Sequence, residues 1–123
     1  MRVVVKLPAI DFTKTTQVVS APLPGAFTQR FMPQAYFFIC KDADEVAGDS
    51  SINVGSSSGG NQLLKEYNIE GCDSTNKVLR VDVPAAAAES PMAGNDTVYA
   101  QISSPDSTAS QGTVDLYVEG VLL

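Results

Sequence analysis

Hydrophobic and polar positions alternate along most of this chain, and most plainly between Gly94 and Leu123. Val98, Ala100 and Ile102 share one face of the segment Thr97 to Ile102, and Thr97, Tyr99 and Gln101 share the other. Val114, Leu116 and Val118 alternate in the same way with Asp115, Tyr117 and Glu119. The residues between the two segments, Ser103 to Gly112, are turn formers. Extending this reading gives strands over Arg2 to Leu7, Phe12 to Ser20, Tyr36 to Cys40 after a break at Pro33, and Ser51 to Val54. Four more cover Gln62 to Ile69, Lys77 to Val83, Thr97 to Ile102 and Thr113 to Leu122. Pro22-Leu23-Pro24-Gly25 reads as a turn.

About eight short, evenly spaced strands predict an all-β chain, an antiparallel β-sandwich or jelly roll. Two segments compete as helix. Gln62 to Tyr67 has the composition of a helical turn, and Pro84 to Glu89 puts proline where a helix starts but is too short to be stable alone. The second is read as a loop or single turn. The core is expected to contain Leu79, Val81, Val83, Val98, Ala100, Ile102, Val114, Leu116 and Val118.

A chain of 123 residues with 44% hydrophobic and 18% charged residues is expected to form one domain over residues 1–123, with residues 1–10 as an N-terminal arm or edge strand. Pro8 argues against a central position for that strand. The net charge is −6, and the eight Lys and Arg are scattered singly, which argues against nucleic acid and against a polybasic membrane anchor. Lys6 and Pro8 interrupt the first apolar run, so it does not read as a signal peptide, and synthesis in a host cytoplasm is the expectation.

Histidine is absent from the chain, so Ser-His-Asp and Cys-His catalysis are excluded within it. No enzyme activity, cofactor or metal site is expected. Asp42, Asp44, Glu45 and Asp49 form one acidic cluster, but Val46 and Gly48 break the calcium-loop pattern, so a solvated loop is the reading. Gly55 to Asn61 has phosphate-loop composition without the lysine that would reach a phosphate. The sequon Asn95-Asp96-Thr97 reads as part of a turn. Cys40 reads as a buried thiol serving as a small hydrophobe; a bridge to Cys72 is permitted by spacing and required by nothing.

The run Ala35 to Cys40 is apolar on both faces, with Tyr36 and Phe38 on one and Phe37 and Ile39 on the other. Either it is central and covered on both sides, or a second subunit covers one face. The apolar end Val121-Leu122-Leu123 raises the same alternatives. Tyr36, Phe37, Val121, Leu122 and Leu123 are therefore candidate partner contacts, with Arg2, Val3 and Val5 of the N-terminal arm, Met1 to Ile10, as the second choice for a shell-facing segment.

The stretch Ile52-Asn53-Val54-Gly55 leading into Ser56 to Asn61 and Leu63-Leu64, with the closing strands Gly94 to Ile102 and Gly112 to Gly120, resembles the small jelly-roll virion proteins of tailed bacteriophages. Among these it is most similar to head decoration (cement) proteins. That resemblance implies a structural protein on the outer capsid surface, bound to the major capsid protein; the apolar Ala35 to Cys40 run and the Val121 to Leu123 end add the expectation of a dimer or trimer. The competing reading within the resemblance is a receptor-binding jelly-roll module of a tail tip or fibre. A tail-completion or connector protein is a third, which would more often bring helices or long arms.

Overall fold

The computed structural model describes residues 1–13, 17–25, 28–43, 50–58, 60, 63–69, 76–82, 92–93, 96–104 and 112–123. The described residues form nine strands: β1 (Arg2–Asp11), β2 (Val18–Pro22), β3 (Arg30–Ala43), β4 (Ser51–Gly55), β5 (Leu64–Asn68), β6 (Val78–Asp82), β7 (Met92–Ala93), β8 (Thr97–Ser104) and β9 (Gly112–Leu122). One sheet runs β1-β9-β3-β6, with the two-residue β7 also paired to β3, and the other runs β2-β8-β4-β5. Every pairing is antiparallel.

The pairs are nested. The first long strand bonds the last (β1–β9), the second bonds the next to last (β2–β8), and β3–β6 encloses β4–β5. A ribbon of four nested antiparallel pairs, rolled so that β9 also meets β3 and β8 also meets β4, is a jelly roll. The two closing strands of the sequence therefore lie in opposite sheets. Their inward rows, Val98, Ala100 and Ile102 against Val114, Leu116 and Val118, are all buried in one core with Leu7, Ile10, Phe12, Phe31, Tyr36 and Phe38. Leu79 and Val81 pack against this core half-buried, because β6 is an edge strand; Val83 lies outside the described residues.

Several expectations change. Pro33 does not break β3, which runs from Arg30; the missing N–H falls at a register irregularity between Pro33 and Ala35. Opposite it, Gly120 is obligatory, since a Cβ there would strike the Met32 carbonyl and the Phe31 ring. Phe12 caps the core in a turn after β1 and donates its N–H to the Gly112 carbonyl at 3.2 Å, and the strand expected to start there begins at Val18. The strand continues through Pro22, so the turn expected there starts one residue later. The strand expected over Gln62 to Ile69 is present as Leu64–Asn68, and the helical alternative for that segment is not taken. Cys40 is fully buried as expected, but it is disulfide-bonded and not a thiol. Cys72, the acidic residues from Asp44 to Asp49, the Pro84 to Glu89 segment and Asn95 lie outside the described residues.

β1 is an edge strand paired to β9 along one side. Its register slips between Leu7 and Ile10, where Pro8 has no N–H to give and Ala9 takes a left-handed φ of 56°. Asp115 of β9 holds this bulge, accepting the Ala9 N–H on Oδ1 at 2.9 Å.

Candidate functional site

The two sheets bury their inner faces against each other, so the contrast lies between their outer faces. On the β2-β8-β4-β5 sheet the outward residues include Val18, Ser20, Pro22, Ser51, Asn53, Thr97, Tyr99, Gln101 and Ser103, most of them polar. Polar groups there bond along the face: the Ser51 and Ser103 hydroxyls lie 2.8 Å apart, and Asn53 Oδ1 accepts the Glu66 N–H at 2.7 Å. This is the composition of a solvated sheet.

The outer face of β1-β9-β3-β6 differs. Strand register aligns Lys6, Tyr117, Phe37 and Arg80 in one row across all four strands. Its ends are cations and its middle is two aromatic rings. Lys6 Nζ stands 5.6 Å from the Tyr117 ring centre, and the Arg80 guanidinium 5.4 Å from that of Phe37. Ile39 and Val78 pair on one side of this row, and Val121 and Met32 pair further along. Val4 is 57% exposed and Val78 53% exposed.

Three cations around the aromatic row are paired with anions of the same face. Arg2 lies 3.4 Å from Glu119, Lys6 is 3.7 Å from Asp115, and Arg80 is 3.3 Å from Asp82. Tyr117 first, and then Asp115, raise the Lys6 pKa above the ordinary lysine value. These pairs are solvent-exposed on at least one partner and add little to stability, but they balance the charge around the aromatic row.

The structure divides the eight residues singled out as partner contacts. Val5, Tyr36 and Leu122 are buried in the chain's own core, and Val3 packs half-buried against it, so none of the four presents a surface. Arg2, Phe37 and Val121 lie together on the outer face just described, and Leu123 is exposed at its end. The apolar C-terminus is not frayed: Leu122 donates its N–H to the Met1 carbonyl at 2.7 Å, and Leu123 exchanges backbone bonds with Arg30. Tyr117, Val4, Ile39 and Val78 also belong to this face. Their outward position was readable from alternation; their adjacency required the register.

The fold is that of chains in phage capsid structures. A chain of the cyanophage Pam1 capsid asymmetric unit superposes with a TM-score of 0.64 at 16% identity, over 97% of this chain and 83% of that one. A chain from the capsid of Ralstonia phage GP4 does so with a TM-score of 0.53 at 15% identity, over 88% of this chain and 86% of that one. No family model matches the sequence, and no curated protein matches it. At these identities the likeness is one of fold, a jelly roll of similar size in each case.

Proposed function

We propose that this chain is a phage head decoration (cement) protein, binding the outside of the major capsid protein shell and stabilising the expanded head. The observation that carries the reading is the jelly roll itself, matched over more than four-fifths of chains found in two phage capsid structures. It is supported by a rigid two-sheet scaffold and by a net charge of −6, which keeps the free chain soluble before it docks. The buried Cys40 disulfide suits a protein that works on a particle outside the reducing cytoplasm where the chain is made. Its role is structural, with no catalysis, and it works as a dimer or trimer.

Stabilisation by such a protein is mass action: a ligand that binds the expanded shell and not the unexpanded one shifts the shell toward expansion. The selectivity is geometric, because a site composed from two neighbouring capsid subunits exists only when both are correctly placed. The first ten residues do not act as a detachable arm in this scheme, since β1 supplies Val5, Leu7 and Ile10 to the core.

The test is to add the purified protein to expanded and to unexpanded heads of its phage assembled without it. Many copies on expanded heads, few on unexpanded heads, and a higher rupture temperature for decorated heads are expected. Equal binding to both forms overturns the selectivity. A few copies per virion, confined to the tail, replaces the reading with a receptor-binding module.

A further inference from the structure

We propose that the outer face of the β1-β9-β3-β6 sheet is where two copies of this chain meet, with Phe37 and Tyr117 at the centre of the contact. This names the surface for the self-association just proposed, and it does not depend on binding to a shell. Charge is the first argument. A two-fold contact lays one patch upon its own copy, so any net charge on the patch repels itself. The chain as a whole carries −6. Around the aromatic row this face instead sets Arg2 beside Glu119, Lys6 beside Asp115 and Arg80 beside Asp82, with the exposed Arg30 and Lys41 toward the two ends of β3. That central patch can meet itself without net like-charge repulsion.

Composition and order point the same way. Aromatic residues and arginine are the side chains that dominate contact energies, best placed centrally with a polar rim around them. Here Phe37 and Tyr117 are half-buried in the middle of the sheet, held by ladder neighbours and by the flanking cations. Little side-chain freedom remains for association to remove. The outer face of the other sheet is mostly Ser, Thr, Asn and Gln, with Tyr99 on β8 and Val18 on the edge strand β2 as its larger side chains.

The area is adequate. With β1 of 10 residues, β9 of 11, β3 of 14 and β6 of 5, strands about 4.8 Å apart that rise about 3.3 Å per residue give a footprint of roughly 600 Å² per copy. Two such faces bury about 1,200 Å² before the relief of the side chains is added, the lower bound of specific, stable interfaces.

Sedimentation equilibrium of the full chain tests this, with Tyr117→Glu, Phe37→Glu and, on the opposite sheet, Tyr99→Glu. Wild type and Tyr99→Glu are expected to be dimers with the same dissociation constant. Tyr117→Glu should raise that constant at least about 30-fold, the loss of one central contact residue. Phe37→Glu should do the same; if it unfolds by circular dichroism, Tyr117→Glu decides alone. A monomeric wild type, a trimer, or a dimer that tolerates Tyr117→Glu each overturns the proposal. So does a monomeric wild type whose binding to heads is lost in Tyr117→Glu, which would give the face to the shell. A dimer that ignores heads leaves this inference standing and removes the decoration role.

Discussion

Tyr36→Phe should stabilise this protein, although it deletes a polar group from a central strand. Tyr36 is 0% exposed, and its hydroxyl has no hydrogen-bond partner among the described residues. A buried hydroxyl without a partner loses its water bonds and gains nothing in return, a penalty of about 1–3 kcal/mol. Removing the oxygen leaves a void of roughly 10–15 Å³, which at about 24 cal/mol per Å³ returns only about 0.3 kcal/mol. The net expectation is a gain of about 1–2 kcal/mol, read as a higher urea midpoint with an unchanged slope. The pH dependence supplies a second arm. Burial pushes the Tyr36 pKa well above the ordinary tyrosine value of 10.0. The folded state therefore holds the proton more tightly than the unfolded state. That stability is complete below about pH 10 and is lost as pH rises above it. Wild type should weaken more steeply than Tyr36→Phe above pH 10. A loss of more than about 0.5 kcal/mol in the variant at pH 7, or identical alkaline limbs, would refute the reasoning and reveal a partner for the hydroxyl.

Other perturbations test the core, the bulge and the crosslink. Leu116→Ala, at a fully buried site facing the opposite sheet, should lower stability by about 2–5 kcal/mol in chemical denaturation. Gly120→Ala should be at least as damaging as a typical core substitution, more than about 2 kcal/mol, because its methyl meets the Met32 backbone and cannot be relieved by a rotamer change. Asp115→Ala frees the Ala9 N–H at the β1 bulge and should cost about 1.5–3 kcal/mol, with faster amide exchange at Ala9 than anywhere else in β1. Reducing the protein should lower its melting temperature, by an amount equivalent to about 2–5 kcal/mol, through loss of the Cys40 disulfide.

The architecture was legible because every long strand has a solvated or half-solvated outer face, which leaves the period of two visible in the sequence. β8 and β9 were readable almost to the residue for that reason. What alternation does not encode is which strand pairs with which. Nothing in Thr97 to Leu122 says that its two strands sit in opposite sheets, since that follows from pairings with Val18–Pro22 and Arg2–Asp11, far off in the chain. Pro33 misled because a proline stops a regular strand, whereas here a register irregularity absorbs it. Tyr36 and Leu122 misled as contacts because an apolar run at a strand or chain end reads the same whether its cover is the chain itself or a partner. Phe37 was separable from Tyr36 by parity alone, but its neighbours Tyr117 and Arg80 came only with the register.

That dependence on register has a consequence for how the aromatic face behaves. Its central row draws one residue from each of β1, β9, β3 and β6, strands spread over almost the whole chain. The face therefore does not exist in the unfolded chain or in any locally folded fragment; it is assembled by the slowest contacts to form, those of greatest sequence separation. A partly folded chain exposes isolated valines and rings but not the charge-balanced surface on which two copies fit. The proposed association through this face would follow folding and draw the folding equilibrium toward the native state by mass action. The exposed edge of β1 is guarded in the same spirit: Pro8 and the bulge at Ala9 interrupt its ladder, and Arg2 and Lys6 flank its valines. The β1 edge is thus closed to indiscriminate sheet growth while the aromatic face beside it stays open, the combination that the proposed pairing of two copies requires.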